Sequence, residues 1–409
     1  MHAIVGDRII VRSSHSDEPN RDGEIVEVRG SDGAPPYLVR WSETGHDGLF
    51  FPGPDSDIHH TTSIDDDAAP VALPGAGTAP WPPRPEQPGS SASRMAWYAA
   101  VARWAPSKHN TQPWRFHITA DAVEFWGDPT RMLAETDPVQ RELVISVGAA
   151  VHHACVAARA LGHAPQLELT ADAATGCLAR LVERGPHPVT KLDSDLLAAA
   201  AGRRTDRGPL DATTLAPSLP FELQSLAGSE GTTLRLVSTP GDRATLAALV
   251  ERADRLLAQR SDVSAELNRW LREANDPRRD GVPSDHTRGA AASYRAEFVQ
   301  RDFSSPDSRP AHDRSGTDRP LLGVICTDAD RPRDWLLAGQ ALAAVLLRAH
   351  LAGANASYLN QPVEVPALRA ELRDGLALNG FAQLVIRLGR GAEIAPTPRR
   401  TAADTTAYP

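Results

Sequence analysis

The stretch "LVISVGAAVHHACVAARALGHAPQLEL", Leu143 to Leu169, is apolar on almost every side of a 3.6-residue repeat and runs into a strand-like tail. A helix of that kind has to be covered all round, so it belongs at the centre of a fold and not on its surface. Further along, "WLLAGQALAAVLLRAHLAGANASYL", Trp335 to Leu359, repeats the pattern at an offset of 191. Gly148 falls on Gly339 and Gly162 on Gly353, with Ala150 over Ala341, Val151 over Leu342 and Cys155 over Leu346. Two Ala/Leu-rich helices can align by composition alone, but a duplicated chain explains the matched glycines as well. Two such helices would then pack on each other at a pseudo-twofold interface.

Working outward, the strand "WRFHI" begins at Trp114, 34 residues before Gly148, and the similar "LRLV" begins at Leu234, 105 before Gly339. The second half therefore holds about 71 extra residues: a helical stretch around 248–274, then a polar, turn-rich insertion from about 275 to 318. Its few large apolar residues are Val282, Tyr294, Phe298, Val299 and Phe303. Such a segment is either a lid over a binding site or a disordered tether.

The 409 residues are 41% hydrophobic, which suits one large core or two medium ones plus a small module. A net charge of −9 argues against a nucleic-acid partner. No signal-peptide pattern opens the chain and no run is read as a membrane span, so a cytoplasmic protein is expected. Cys155, Cys177 and Cys326 lie far apart and suggest neither a disulfide framework nor a zinc site.

Residues 1–60 form a separate module of short β-type runs, "GDRIIVRS", "DGEIVEVRG", "PYLVRWSE" and "GLFFPG", broken by Asp-Gly and Gly turns. A small SH3-like β-barrel or curled sheet is expected. Five arginines and no lysine against eleven Asp plus Glu make it a poor nucleic-acid binder, and leave a protein partner as its alternative. "HDGLFFPGPD" and the spacing of "VGDR", "DGEI" and "YLVRW" resemble the DUF1918 family, which implies a fold and no chemistry. Residues 61–92, acidic and then rich in Pro, Gly and Ala, read as a linker.

Two motifs carry the chemistry. "APSKHNTQPW", Ala105 to Trp114, sets prolines, hydroxyls and amides between a helix and a strand. Amides can read an edge that alternates donors and acceptors. "AAAAGRRTDRGPL" ends an Ala-rich helix with Arg203, Arg204, Thr205 and Arg207, and "APTPRRTAAD" adds Arg399 and Arg400. Guanidinium groups suit phosphate oxygens, although cations at a helix C-terminus are also favoured without a ligand. His152 and His153, on the apolar helix, read as core or interface residues.

Taken together, these motifs resemble the FMN-dependent nitroreductase family, and more closely its actinobacterial Acg branch, over residues 93–403. The resemblance implies an α+β nitroreductase-like fold duplicated in one chain, with halves at 93–202 and 203–409. It implies FMN held at the ring by Pro106, Ser107 and Asn110, with Gln112 in the same cofactor-binding loop anchoring it to its strand, and by Arg203, Arg204, Thr205 and Arg207 with Arg399 or Arg400 at the phosphate. NAD(P)H would be the electron donor, a nitroaromatic or quinone the small-molecule acceptor, and no side chain need be an essential acid or base. An FMN-storing protein closed by its lid is the rival reading. The first half offers only Arg94 where a phosphate cluster would stand, and "SLPFELQSLAG" replaces the ring loop in the second half. One FMN per chain and a monomeric pseudo-dimer are therefore expected.

Overall fold

The computed structural model describes residues 3, 5–11, 21–30, 33–41, 46–53, 56–59, 81–85, 89–170, 176–273, 276–284, 298, 299, 301, 303 and 318–407. The chain divides into two compact units, Met1–Pro70 and Val71–Pro409. Most of the expected linker, and the insertion's Tyr294, lie outside the described residues.

The first unit holds β1 (Arg8–Val11), β2 (Arg21–Val28), β3 (Tyr37–Trp41), β4 (Asp47–Phe50) and β5 (Ser56–His59), an antiparallel sheet in the order β4-β3-β2-β1-β5. Alternation along β3 puts Tyr37, Val39 and Trp41 inside. They join Ile9 and Ile25 in a small core.

The second unit opens with α1 (Ser91–Ala102), β6 (Trp114–Ile118), β7 (Ala122–Gly127), α2 (Arg141–Ala160), β8 (His163–Glu168) and β9 (Cys177–Pro186). After α3 (Lys191–Gly202) the same order returns. It runs through α4 (Leu219–Ser229), β10 (Thr233–Leu236), α5 (Pro240–Ala258), α6 (Ser261–Arg269), β11 (Leu271–Arg272), β12 (Val282–Pro283), β13 (Leu321–Thr327), α7 (Pro332–Leu351) and β14 (Asn355–Tyr358). The chain ends with α8 (Gln361–Glu364), α9 (Pro366–Gly375), β15 (Phe381–Gly389), α10 (Ala402–Thr405) and β16 (Thr406–Ala407). Two antiparallel sheets result, β6-β7-β9-β8 and β10-β13-β15-β14, so that first, second, fourth and third strands neighbour one another in each. The tail crosses between them, because β16 pairs parallel with β6 and adds a fifth strand to the first sheet.

The matched glycines explain how the centre packs. An added Cβ at Gly148 would lie 2.2 Å from the Leu336 carbonyl oxygen, and one at Gly339 would lie 2.0 Å from that of Ile145. Only residues without a Cβ let the backbones of α2 and α7 approach so closely. The surrounding faces bury Val144, Val147, Val151, Leu336 and Ala343 in a single core. By length and composition α2 could cross a membrane, contrary to the reading of the sequence, but nearly all of it is buried inside the protein. All three cysteines are free and buried.

The helical stretch expected over 248–274 is two helices. The first starts earlier, at Pro240, where the Thr239 hydroxyl accepts a hydrogen bond from the Asp242 N–H (3.1 Å). The second begins at Ser261 and ends before the short parallel pair β11–β12 at the root of the insertion.

Candidate functional site

The loop between α1 and β6 is held in an unusual backbone. His109, Asn110 and Gln112 have φ of 49°, 53° and 50°, the left-handed region that non-glycine residues rarely occupy. Each such residue stores roughly 1–3 kcal/mol of strain, which persists only where surrounding bonds over-determine it. Those bonds are present. The Ser107 hydroxyl accepts from the Gln112 N–H (2.9 Å), and the Asn110 carboxamide donates to the carbonyls of Gly281 (2.9 Å) and Pro398 (3.1 Å). Its carbonyl oxygen accepts from Arg399 (3.1 Å). Gln112 donates to the Arg279 carbonyl and accepts from the Arg400 N–H, both at 2.8 Å. Gly281 itself has φ +75° and gives its N–H to the Asn110 carbonyl (3.1 Å). Asp280, ion-paired with both Arg131 and Arg272, fixes that corner of the insertion.

The loop walls a cavity of about 130 Å³ beside the start of α2 and the β14–β15 side of the second sheet. Of the residues picked out from the sequence, Pro106, Ser107, Asn110, Arg203, Thr205, Arg207 and Arg399 line it. Gln112, Arg204 and Arg400 do not. Gln112 and Arg400 clamp the loop to the tail, the Arg400 guanidinium donating to the Gln112 carbonyl (3.0 Å). Arg204 turns back onto the carbonyls of Ala201 (2.7 Å) and Arg203 (2.9 Å) at the end of α3. Asn110 is on the wall, yet its amide is already bonded to protein on both ends.

One end of the cavity is cationic. Arg203 is 5% exposed and its Nε and Nη1 have no hydrogen-bond partner; the Arg399 Nε and the Tyr358 hydroxyl are buried in the same condition. Burial pushes the Arg203 pKa down, and pushes that of Arg207 down to about 10. Arg399 falls well below the ordinary arginine value through burial and through Arg203, Arg204 and Arg103 around it. Among the described residues no carboxylate pairs with Arg203 or Arg399. A buried charge without a counterion is strongly destabilising, and an anion at this end would supply the missing partner.

The other end is charge-balanced by residues that sequence reasoning missed. Lys108 pairs with Glu142 and, at 3.2 Å, with Glu364, which also pairs with Arg301 of the insertion. Burial alone would lower the Lys108 pKa, but Glu142 and Glu364 raise it above the ordinary lysine value. Burial would raise Glu364, and Arg301 with Lys108 holds it down. His109 is kept neutral by burial and by the charges of Arg301, Lys108 and Arg207. Its ring meets Phe303 edge-on at 5.8 Å, and Arg207 lies over the other contact of that phenyl at 4.6 Å. Only Lys108 sat in a motif singled out beforehand. Glu142, Glu364 and Arg301 come from a helix start, a four-residue helix and the insertion, with no local signal to mark them.

The class defined here is an α+β chain with two antiparallel sheets around paired central helices and a cavity rich in arginine. Residues 1–58 match the family described as domain of unknown function (DUF1918). From Mycobacterium tuberculosis, two proteins provisionally named as NAD(P)H nitroreductases align with the larger unit. Rv3131 is 30% identical over 317 residues, 75% of this chain and 88% of the relative. The protein named acg is 29% identical over 302 residues, 73% of this chain and 89% of the relative. Rv0569, from the same organism, is 50% identical over 56 residues, 14% of this chain and 64% of that protein. The chain belongs to the nitroreductase-like family of Rv3131 and acg, with a DUF1918 domain at its N-terminal end.

Proposed function

We propose that the chain is an FMN-binding oxidoreductase that takes electrons from NAD(P)H and passes them to a nitroaromatic or quinone. The observation that carries this reading is the set of guanidinium groups facing the cavity, those of Arg203 and Arg399 buried and that of Arg207 half-buried, with no carboxylate paired to them among the described residues. The donors fit a phosphate: Arg203 and Arg399 keep unbonded N–H groups, and Thr205 and the Tyr358 hydroxyl stand beside them on the cavity wall. Pro106, Ser107 and Asn110 would then face the isoalloxazine, with Ile145, Leu342 and Leu384 as its apolar contacts. FMN, when bound, supplies the two-electron chemistry. The protein residues hold it, exclude water and set the charge around it.

The repeated order of elements and the Gly148–Gly339 crossing support a duplicated, pseudo-dimeric fold, which removes the need for a second chain. The ring loop comes from the first half and the phosphate loop from the second, so one FMN per chain is expected. The first unit is proposed to be an SH3-like barrel that engages a protein partner, and the whole chain to work in the cytoplasm.

A second reading, storage without turnover, is favoured by the covering of the cavity. Val282, Pro283, Arg301 and Phe303 of the insertion all lie on its wall, and Arg301 is tied to Glu364 in a buried ion pair. The absorbance spectrum of the purified protein, followed by anaerobic addition of NADPH, separates the two. Flavin bands that bleach support the enzyme, flavin bands that persist support storage, and absence of flavin from a reconstituted sample refutes both. Flavin content near two per chain would overturn the single-site reading.

A further inference from the structure

A second concavity opens at the start of α7, with a volume of about 730 Å³. It is lined by Leu167, Leu169, Glu230, Arg333, Leu337 and Gln340 among others. The offset of 191 that aligns the central helices carries Glu142, Ser146, Tyr358 and Asn360 of the cavity onto Arg333, Leu337, Leu167 and Leu169 of this cleft. Aligning Trp114 with Leu234 carries Asn110 onto Glu230. The cleft therefore pairs α7 with the β8 side of the first sheet, as the cavity pairs α2 with the β14 side of the second.

Its chemistry is reversed. The polar hydroxyl and amide positions Ser146, Tyr358 and Asn360 correspond to leucines, and among the described residues the arginines on the cleft are Arg331 and Arg333. The carboxylates are Glu230, Asp328 and Asp334, against Arg331 and Arg333 on the rim. Arg331 is committed to Asp334 (3.2 Å). Glu230, bonded to His152 (3.1 Å), lies at the inner side. Gln340 is 4% exposed, lines the cleft and has no hydrogen-bond partner among the described residues. An amide that reaches the cleft without a protein partner, beside Leu337, suits a group with its own donor and acceptor.

We propose that this cleft is a second small-molecule site, separate from the cavity, which takes a planar aromatic compound that is neutral or cationic and carries no phosphate. The leucines supply flat apolar contact, Gln340 reads a ring nitrogen or amino group, and Glu230 with Asp328 selects against anions.

Fluorescence anisotropy of the full-length protein titrated with proflavine, a cationic tricycle, tests this against 9-acridinecarboxylate, its anionic counterpart. Saturable one-to-one binding of proflavine is expected, at least about tenfold tighter than the carboxylate, because like charges facing each other are strongly disfavoured. Glu230→Gln should shrink that preference. Leu337→Arg should abolish binding while flavin content stays unchanged. If Leu337→Arg does not accumulate, Leu169→Arg gives the same reading from the opposite wall. Absence of saturation, equal binding of the two acridines, displacement of proflavine by added FMN, or binding indifferent to both arginine variants would each overturn the proposal.

Discussion

The starts of α2 and α7 occupy corresponding places, yet one closes over a cavity and the other opens into a cleft. At the start of α2, Asp137 is 5% exposed beside Glu142 and Lys108. At the start of α7 the matching positions are Asp328 and Arg333, both exposed. The loop ahead of β6 is knotted to the tail and the insertion by Asn110 and Gln112, whereas the residues ahead of β10 end α4 and turn at Gly231. One fold thus carries two kinds of pocket. What separates them is the set of distant residues, 203–207, 279–283, 301, 303 and 397–400, that converge on only one of the two.

The comparison breaks most completely where the halves are meant to be alike. Replacing Gly339 by Ala puts a methyl carbon against the Ile145 carbonyl, which no rotamer change can relieve, and should cost about 3 kcal/mol or more. Gly148→Ala should behave likewise, and urea unfolding of both variants measures it. Near-parent midpoints would show that the two helices are not locked by this crossing.

A second test concerns the cationic end. Arg203→Met removes a charge-assisted pair worth roughly 1.5–3 kcal/mol and should weaken FMN binding by about ten- to a hundredfold. The same substitution should leave the FMN-free chain as stable as the parent or more so, since it deletes an unpaired buried charge. Equilibrium dialysis and thermal unfolding read the two effects separately. Unchanged flavin affinity would dissociate this cluster from the phosphate.

Asp137 sharpens the contrast through pH. Burial and then Glu142 push its carboxyl up to about 6. Its folded value lies above its unfolded value, so its contribution is full below the unfolded pKa and is lost as pH rises through 6. With a rise of about two units at 1.4 kcal/mol each, the parent should forgo roughly 2–3 kcal/mol between pH 4 and 7 through this group. Asp137→Asn should flatten that slope.

The smallest effect is expected at Arg204, which faces carbonyls of its own helix end and not the cavity. Arg204→Ala should change flavin affinity by less than about threefold, the scale of an exposed charge acting at a distance. A loss matching that of Arg203→Met would mean that the wall rearranges on binding.

The sequence by itself carried the repeat. All-round apolar helices with glycines at matching places declare a buried crossing, because both the hydrophobic coverage and the missing Cβ are local facts. It also carried the two motifs, since a Pro-bounded amide loop and an arginine-rich helix end are written in contiguous residues. Gln112, Arg204 and Arg400 spend their bonds on protein groups beside the cavity, which a motif cannot announce, because it names residues without saying which way their bonds are spent. The ion-paired end was invisible for a related reason. Lys108, Glu142, Arg301 and Glu364 are up to 256 residues apart, and a buried charge is tolerated only where tertiary contacts supply its partner. Which charges line each pocket was decided there, by the segments that the fold brought to each end of the paired helices.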